Sequence, residues 1–372
     1  MRKFTQSLLV SCLLFSGLAQ ARTVTDISNR TVTVPDNPQR IVVGESRMLY
    51  TLALVQDGNP AQHVIGWPGD MAQLDAQSWA MYVKAFPEIA TIPLLGQNNY
   101  TQLNVEKVIA LKPDLVILPV YAKKQTDRDQ MEITLTQAGI PVIFVDLRVD
   151  QLHNTIPSVK LLGDVLNHPE KAARFIAFYQ QHMDRVRERI AAYQGKRQTV
   201  MLQLHLGRRE GCCTTVSHGN LADLLAFAGG DNIAKGAFGR VYGDLNAEKV
   251  IMANPDVYIT TGMAGPEGKR VSNLMLGPQV TPQEAEQSFR QIMDKQPVLS
   301  TLKAVREGRA YSVWHNFYLS PYHMVDVEVF AKAMYPQLFK DVDPQQTMKE
   351  LYTQFLPVPF SGTYWSTLPP AK

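Results

Sequence analysis

One segment of this chain occurs twice, and that repeat constrains the fold more than any other feature. Asn104-Val-Glu-Lys-Val-Ile-Ala-Leu-Lys-Pro-Asp-Leu-Val-Ile117 aligns with Asn246-Ala-Glu-Lys-Val-Ile-Met-Ala-Asn-Pro-Asp-Val-Tyr-Ile259, with eight of 14 positions identical. Each copy reads as an Asn-capped helix, a Pro turn and a buried strand. Between them lies a helical pattern that opens at Pro169 and runs through Phe175, Phe178, Tyr179, Met183, Val186 and Ile190 to about Tyr193, with Gly195 as its stop. Two similar units on either side of one long helix follow directly.

The flanking patterns give each unit a βαβ rhythm. Arg40-Ile41-Val42-Val43, Val64-Ile65-Gly66, residues 114–118 and residues 141–145 read as buried strands, with helices over 46–54 and 129–138. After the long helix the rhythm restarts. Strands are expected over 199–204, 256–260 and 310–314, and helices over 221–228, 299–307 and 325–335. Residues 265–290, rich in Gly, Pro and Gln, read as a long loop or inserted flap. The tail from about 357 reads as surface-packed or mobile. The expected fold class is α/β, with two Rossmann-like lobes built on central, mostly parallel sheets. One long helix joins them, and a ligand cleft lies between. The expected organisation is a signal peptide over 1–21, a first lobe over 22–166, the helix over 167–195, a second lobe over 196–345 and a C-terminal extension over 346–372.

The N-terminus points to export. Arg2 and Lys3 precede an apolar run from Leu8 to Phe15, and Ala19-Gln20-Ala21 has small residues at both positions that a signal peptidase reads. The run is too short to span a bilayer. The alternative is a lipoprotein, because Leu9-Val10-Ser11-Cys12 resembles a lipidation site. Removing residues 1–21, which carry Arg2, Lys3 and no acid, takes the formal charge from +3 to +1. That balance gives no reason to expect nucleic acid or a membrane surface as partner. Outside this segment the cysteines are the adjacent Cys212 and Cys213. They cannot form a disulfide framework, and they read either as a vicinal disulfide or as two small buried side chains.

Together these pieces resemble the iron-siderophore and cobalamin periplasmic-binding family over about residues 35–340. The likeness rests on Pro38-Gln39-Arg40-Ile41-Val42, the first repeat copy, Ala138-Gly139-Ile140-Pro141-Val142 and Ala228-Gly229-Gly230-Asp231-Asn232-Ile233, in this order around the long helix. The resemblance implies a solute-binding protein that hands a ferric siderophore or similar chelate to a two-fold ABC permease with its ATPase. It is expected to be monomeric and to need no intrinsic cofactor. Haem or cobalamin is the alternative ligand. The resemblance also implies that Glu106 and Glu248, equivalent in the two copies, dock onto permease arginines. Helix-end electrostatics alone also explain a Glu in a first turn.

Loops after the strands should line the cleft. Those loops hold Arg47, Trp67, Tyr100, Arg148, Arg208, Arg209, Arg240, Tyr242, Trp314, His315 and Tyr318, with Glu45 and Tyr121 beside them. Guanidinium groups can pair with the oxygens of an anionic chelate while aromatic faces cover its rim. Tyr100 stands where cobalamin-binding relatives carry an aromatic contact. His205, His315, Tyr318 and His323 could donate to iron with open coordination sites. The histidines lack the tight spacing of a closed protein-only metal site. No nucleophile elbow, zinc-protease motif or P-loop occurs. A rival reading, a siderophore-processing enzyme, would rest on Ser217 beside His218.

Overall fold

The computed structural model describes residues 21–96, 103–123, 130–208, 212–265 and 274–370. The chain begins with an antiparallel hairpin, β1 (Ala21–Thr25) and β2 (Thr31–Pro35). It is followed by β3 (Ile41–Val43), β4 (Val64–Gly66), β5 (Leu115–Pro119) and β6 (Val142–Val145), which form a parallel sheet in the order β4-β3-β5-β6. Helices cover both faces, so these strands are apolar without alternation. The hairpin, absent from the sequence reading, is tied to β6 by Asp26. Its carboxylate accepts from the Phe144 N–H at 3.1 Å and pairs with Arg30 at 2.6 Å.

The second lobe holds β7 (Thr199–Gln203), β8 (Thr214–Val216), β9 (Asp231–Asn232), β10 (Tyr242–Asp244), β11 (Val257–Gly262), β12 (Ala310–Trp314) and β13 (Trp365–Leu368). The order is β10-β8-β7-β11-β12-β13, with β9 also beside β7. β7, β11 and β12 run parallel, whereas β8, β10 and β13 are antiparallel additions at the two edges. The tail is therefore structural, not a loose surface segment. Asp343 caps a helix over Pro344–Phe355, with Pro344 at its first position, and β13 then completes the sheet against β12.

The repeat is a repeat of hydrogen bonds as well as of letters. Asn104 Oδ1 caps the Val105–Ala110 helix through the Lys107 N–H, and Asn246 Oδ1 caps the Ala247–Ala253 helix through the Glu248 N–H. Each helix ends near a left-handed residue, Lys112 or Asn254. The Asp after each Pro then reaches back to the start of a parallel strand in its own lobe, β3 or β7. Asp114 accepts from the N–H groups of Gln39 and Arg40, and Asp256 accepts from the N–H of Thr199.

The long helix spans Pro169–Ala192 and buries Ala172, Phe175, Phe178, Tyr179, Met183 and Val186, one face at helical spacing. It packs on Leu49–Val55 and Gln151–Val165 of the first lobe and on His323–Met334 of the second. A Cβ at Gly163 would lie 2.3 Å from that of Ala172, so only glycine permits this helix approach. A second junction joins the lobes beside the helix. Asp75 accepts from Tyr50 Oη within the first lobe and, at 3.1 Å, from Asn316 Nδ2 of the second. Tyr50 also meets Trp314 and Tyr322 edge-on at centroid distances of 5.8 and 5.9 Å.

Two segments correct the sequence reading. Pro282–Met293 is a helix, so part of the expected 265–290 loop is ordered. Thr281 and Glu284 form a full capping box around Pro282. Gln151–Val165 is also helical despite an internal Pro157.

Candidate functional site: the interlobe cleft

Each functional side chain of the first lobe follows the end of a parallel strand. Glu45 and Arg47 follow β3, Asp70 follows β4, Tyr121 follows β5 and Arg148 follows β6. This is the edge at which open α/β sheets bind ligands. Arg47 is 5% exposed, and two carboxylates engage it. Its Nη2 lies 2.7 Å from Glu45 Oε1 and its Nε 2.9 Å from Asp70 Oδ2. Asp70 Oδ1 also accepts from the Ser46 N–H and hydroxyl, both at 2.7 Å. Glu45 extends the cluster outward, accepting from Tyr121 Oη at 2.6 Å and lying 3.5 Å from Arg148 Nη1. The Arg148 guanidinium sits 3.6 Å from the centroid of the Tyr121 ring, a cation–π stack that fixes its plane.

Two arginines and two carboxylates balance within this cluster, and the shifts follow. Burial would raise the Glu45 carboxyl, but Arg148 and Arg47 outweigh it and hold it low. Burial and the neighbouring Glu45 raise Asp70, with Arg47 opposing. Burial and Glu45 raise the Tyr121 phenol, which keeps it a hydrogen-bond donor.

The facing wall comes from the second lobe. His205 follows β7, Asn220 follows β8, and His315 and Tyr318 follow β12. The imidazoles of His205 and His315 lie 3.6 Å apart by centroid, and Tyr318 is 5.0 Å from His315. Thr261, near the end of β11, orients both. Its hydroxyl accepts from the His205 backbone N–H at 3.0 Å and meets His315 Nδ1 at 2.9 Å. Burial lowers the His315 pKa, and electrostatic interaction with His205, Arg47, Arg208 and Arg148 lowers it further, so the ring is neutral. A neutral imidazole is the form that donates a lone pair to a metal.

A cavity of about 310 Å³ lies between the Arg148–Tyr121 stack and Tyr318. Tyr121, Arg148 and Val149 line it from the first lobe, and Asn220, Tyr242 and Tyr318 from the second. Asn220 Nδ2 crosses it to donate to the Arg148 carbonyl at 3.1 Å. Among the described residues, no group of three or more His, Cys, Asp or Glu side chains is placed to hold a metal ion alone.

Of the residues expected at the site, Arg148, Tyr242 and Tyr318 line this cavity, with His315 next to Tyr318. Arg208 is exposed, and its charge acts on His315. Arg240 is exposed beside Tyr242 in an adjoining groove. Tyr100 and Arg209 lie outside the described residues. Three of the expected residues are buried. Arg47 is held by Glu45 and Asp70 and braces the wall from behind Glu45. Trp67 is fully buried, its ring against Trp79 in the first-lobe core. Trp314 is 2% exposed and packs on Tyr50, Phe317 and Tyr364 at the junction of the lobes. The sequence reading missed Asp70, Asn220 and Thr261. Asn220 had a signal in Gly219-Asn220, a turn pair just before a helix.

Other sites stand as follows. Glu106 and Glu248 are both exposed in the first turns of their capped helices. Cys213 is buried and Cys212 half-buried, with their sulfurs against each other. The Ser217 hydroxyl is buried and donates to the Arg240 carbonyl, with His218 Nδ1 2.8 Å away.

A family model described as periplasmic binding protein matches residues 41–314. The chain belongs to this family. The molybdate-binding protein MolA of Haemophilus influenzae is 24% identical over 94% of this chain and 96% of its own length. A vitamin B12-binding protein of Yersinia pseudotuberculosis is 30% identical over 44% of this chain and 54% of its own; this chain thus matches about half of that relative. Among solved structures, the TroA-like periplasmic binding protein FepB of Veillonella parvula superposes with a TM-score of 0.85 at 28% identity, covering 93% of this chain and 99% of that one.

Proposed function

We propose that this protein is the solute-capturing component of an ABC importer and that its cargo is an anionic, oxygen-rich metal complex. Export through a signal peptide ending at Ala21 is part of this reading. One observation carries the ligand class. Arg148 is stacked on Tyr121 and held by Glu45 on one wall of the cleft, and the neutral His315 with His205 and Tyr318 stands on the other. The guanidinium and the Tyr318 phenol supply charge-assisted and neutral donors for ligand oxygens, and the imidazoles can fill open positions on the metal. A ferric siderophore of catecholate or carboxylate type has this chemistry. So does a compact oxyanion, which the cavity of about 310 Å³ and the name of the Haemophilus relative favour. Glu106 and Glu248, exposed and equivalent in the two lobes, are proposed to meet basic pockets of the permease.

Calorimetric titration of residues 22–372 with a ferric triscatecholate, ferric citrate, molybdate, haemin and cyanocobalamin tests the reading and separates its two sources. One equivalent of an anionic oxygen-ligated complex should bind. Arg148→Ala should weaken it by about 1.5–3 kcal/mol, the range for a hydrogen bond to a charged group. Tight binding of cyanocobalamin, with none of the anionic complexes bound, would overturn the assignment.

A further inference from the structure

The helix that carries Glu248 differs from its repeat partner in one respect that bears on docking. Val250 is buried against the second lobe, and this fixes which face of the Ala247–Ala253 helix looks outward. Residues four apart share a face, so Glu248 and Met252 stand together. Met252 is 84% exposed, and the adjacent Ile251 is 45% exposed. Among the described residues, six large apolar side chains are exposed. Two of them occupy this one short helix, and Met252 is the most exposed of all. Single exposed apolar residues are ordinary. An adjacent pair sharing a helix with an exposed carboxylate is not.

The repeat supplies an internal control. On the Val105–Ala110 helix of the first lobe, Glu106 occupies the position of Glu248, but Ala110 occupies that of Met252. Ile109, which matches Ile251, is partly buried against the first-lobe core. The carboxylate is thus common to both lobes, and the apolar side chains beside it are exposed on one.

We propose that Met252 with Ile251 is an apolar anchor for the permease, acting beside Glu248 on the second lobe alone. The proposal rests on the docking reading of Glu106 and Glu248. Its occupant is the permease surface that meets the second lobe, a basic group flanked by an apolar pocket. A two-fold permease presents the same surface twice, so lobes that differ at this point grip it unequally. The carboxylates provide attraction and encounter, and the flexible, polarizable methionine fills the pocket beside its charged partner.

The test is equilibrium binding of the solute-loaded mature chain to its permease–ATPase complex in lipid nanodiscs. Met252→Ser should weaken binding about tenfold, as expected for loss of a buried apolar side chain, with solute affinity and melting temperature unchanged. Ala110→Ser, the matching change in the first lobe, should shift binding by less than about twofold. Parent-like binding by Met252→Ser, together with weakened binding by Glu248→Gln, overturns the anchor and leaves the docking reading intact. An equal loss from Ala110→Ser overturns the asymmetry. Parent-like binding by both Met252→Ser and Glu248→Gln overturns the docking reading itself.

Discussion

Replacing Arg47 by Met separates a brace from a ligand contact. The arginine is 5% exposed, with Glu45 at 2.7 Å and Asp70 at 2.9 Å. Methionine is apolar and unbranched, so it fills part of the space and removes the charge. Two buried carboxylates then lose a shared cation, a change that typically costs about 3–5 kcal/mol. The lower end applies here. Asp70 keeps its two bonds from Ser46, and Glu45 keeps Tyr121 and Arg148. For a domain of this size each kcal/mol moves the midpoint by roughly 2–4 °C, so a drop on the order of 10 °C is expected. Thermal and urea denaturation of ligand-free protein would measure it, with solute titration alongside. A variant that melts with the parent yet binds solute more weakly would refute the reasoning and return Arg47 to the ligand-contacting wall.

His323 should make stability pH-dependent. Its Nδ1–H donates to the Ser320 carbonyl and its Nε2 accepts from Tyr179 Oη, both at 2.7 Å, and burial lowers its pKa to about 4. The folded value lies below the unfolded one of about 6.5, so the contribution is complete above that pH and is lost as pH falls toward about 4, by up to about 3 kcal/mol. His323→Gln should flatten that part of the urea-stability profile, and a parent–variant difference constant across this window would refute it. Lobe closure should be small, because the Pro169–Ala192 helix and the Asp75–Asn316 contact both join the lobes. Solution scattering of free and loaded protein should nearly superimpose, and a rotation of tens of degrees would contradict this.

The lobes and the long helix were legible because their signals are local and repeated. Asn104, Asn246 and Pro169 each mark a helix start by their own chemistry. The site was legible only as a set of loops. Whether an aromatic after a strand faces the cleft or the core depends on what covers it. Trp314 is covered by Tyr50 from the first lobe and by Tyr364 from the tail, residues far from it in sequence. Arg47 read as free for ligand because its partner Asp70 lies 23 positions away, after a different strand. The Pro282–Met293 helix was missed for another reason. Thr281-Pro282-Gln283-Glu284 is a capping signal, but the Gly, Pro and Gln content around it suggested a loop. In Gln151–Val165 the apolar spacing of Leu152, Ile156, Val159 and Leu162 was present, and Pro157 obscured it.

The proposed anionic metal complex sits between the Arg148–Tyr121 stack and the His315–Tyr318 wall. Anomalous diffraction at the metal's absorption edge, from crystals of protein loaded with its tightest-binding complex, tests it most directly. One strong peak is expected in the interlobe cavity, bounded by Arg148 on one side and by Tyr318, with His315 beside it, on the other. A peak on any other surface, with the cleft empty in the loaded protein, would contradict it.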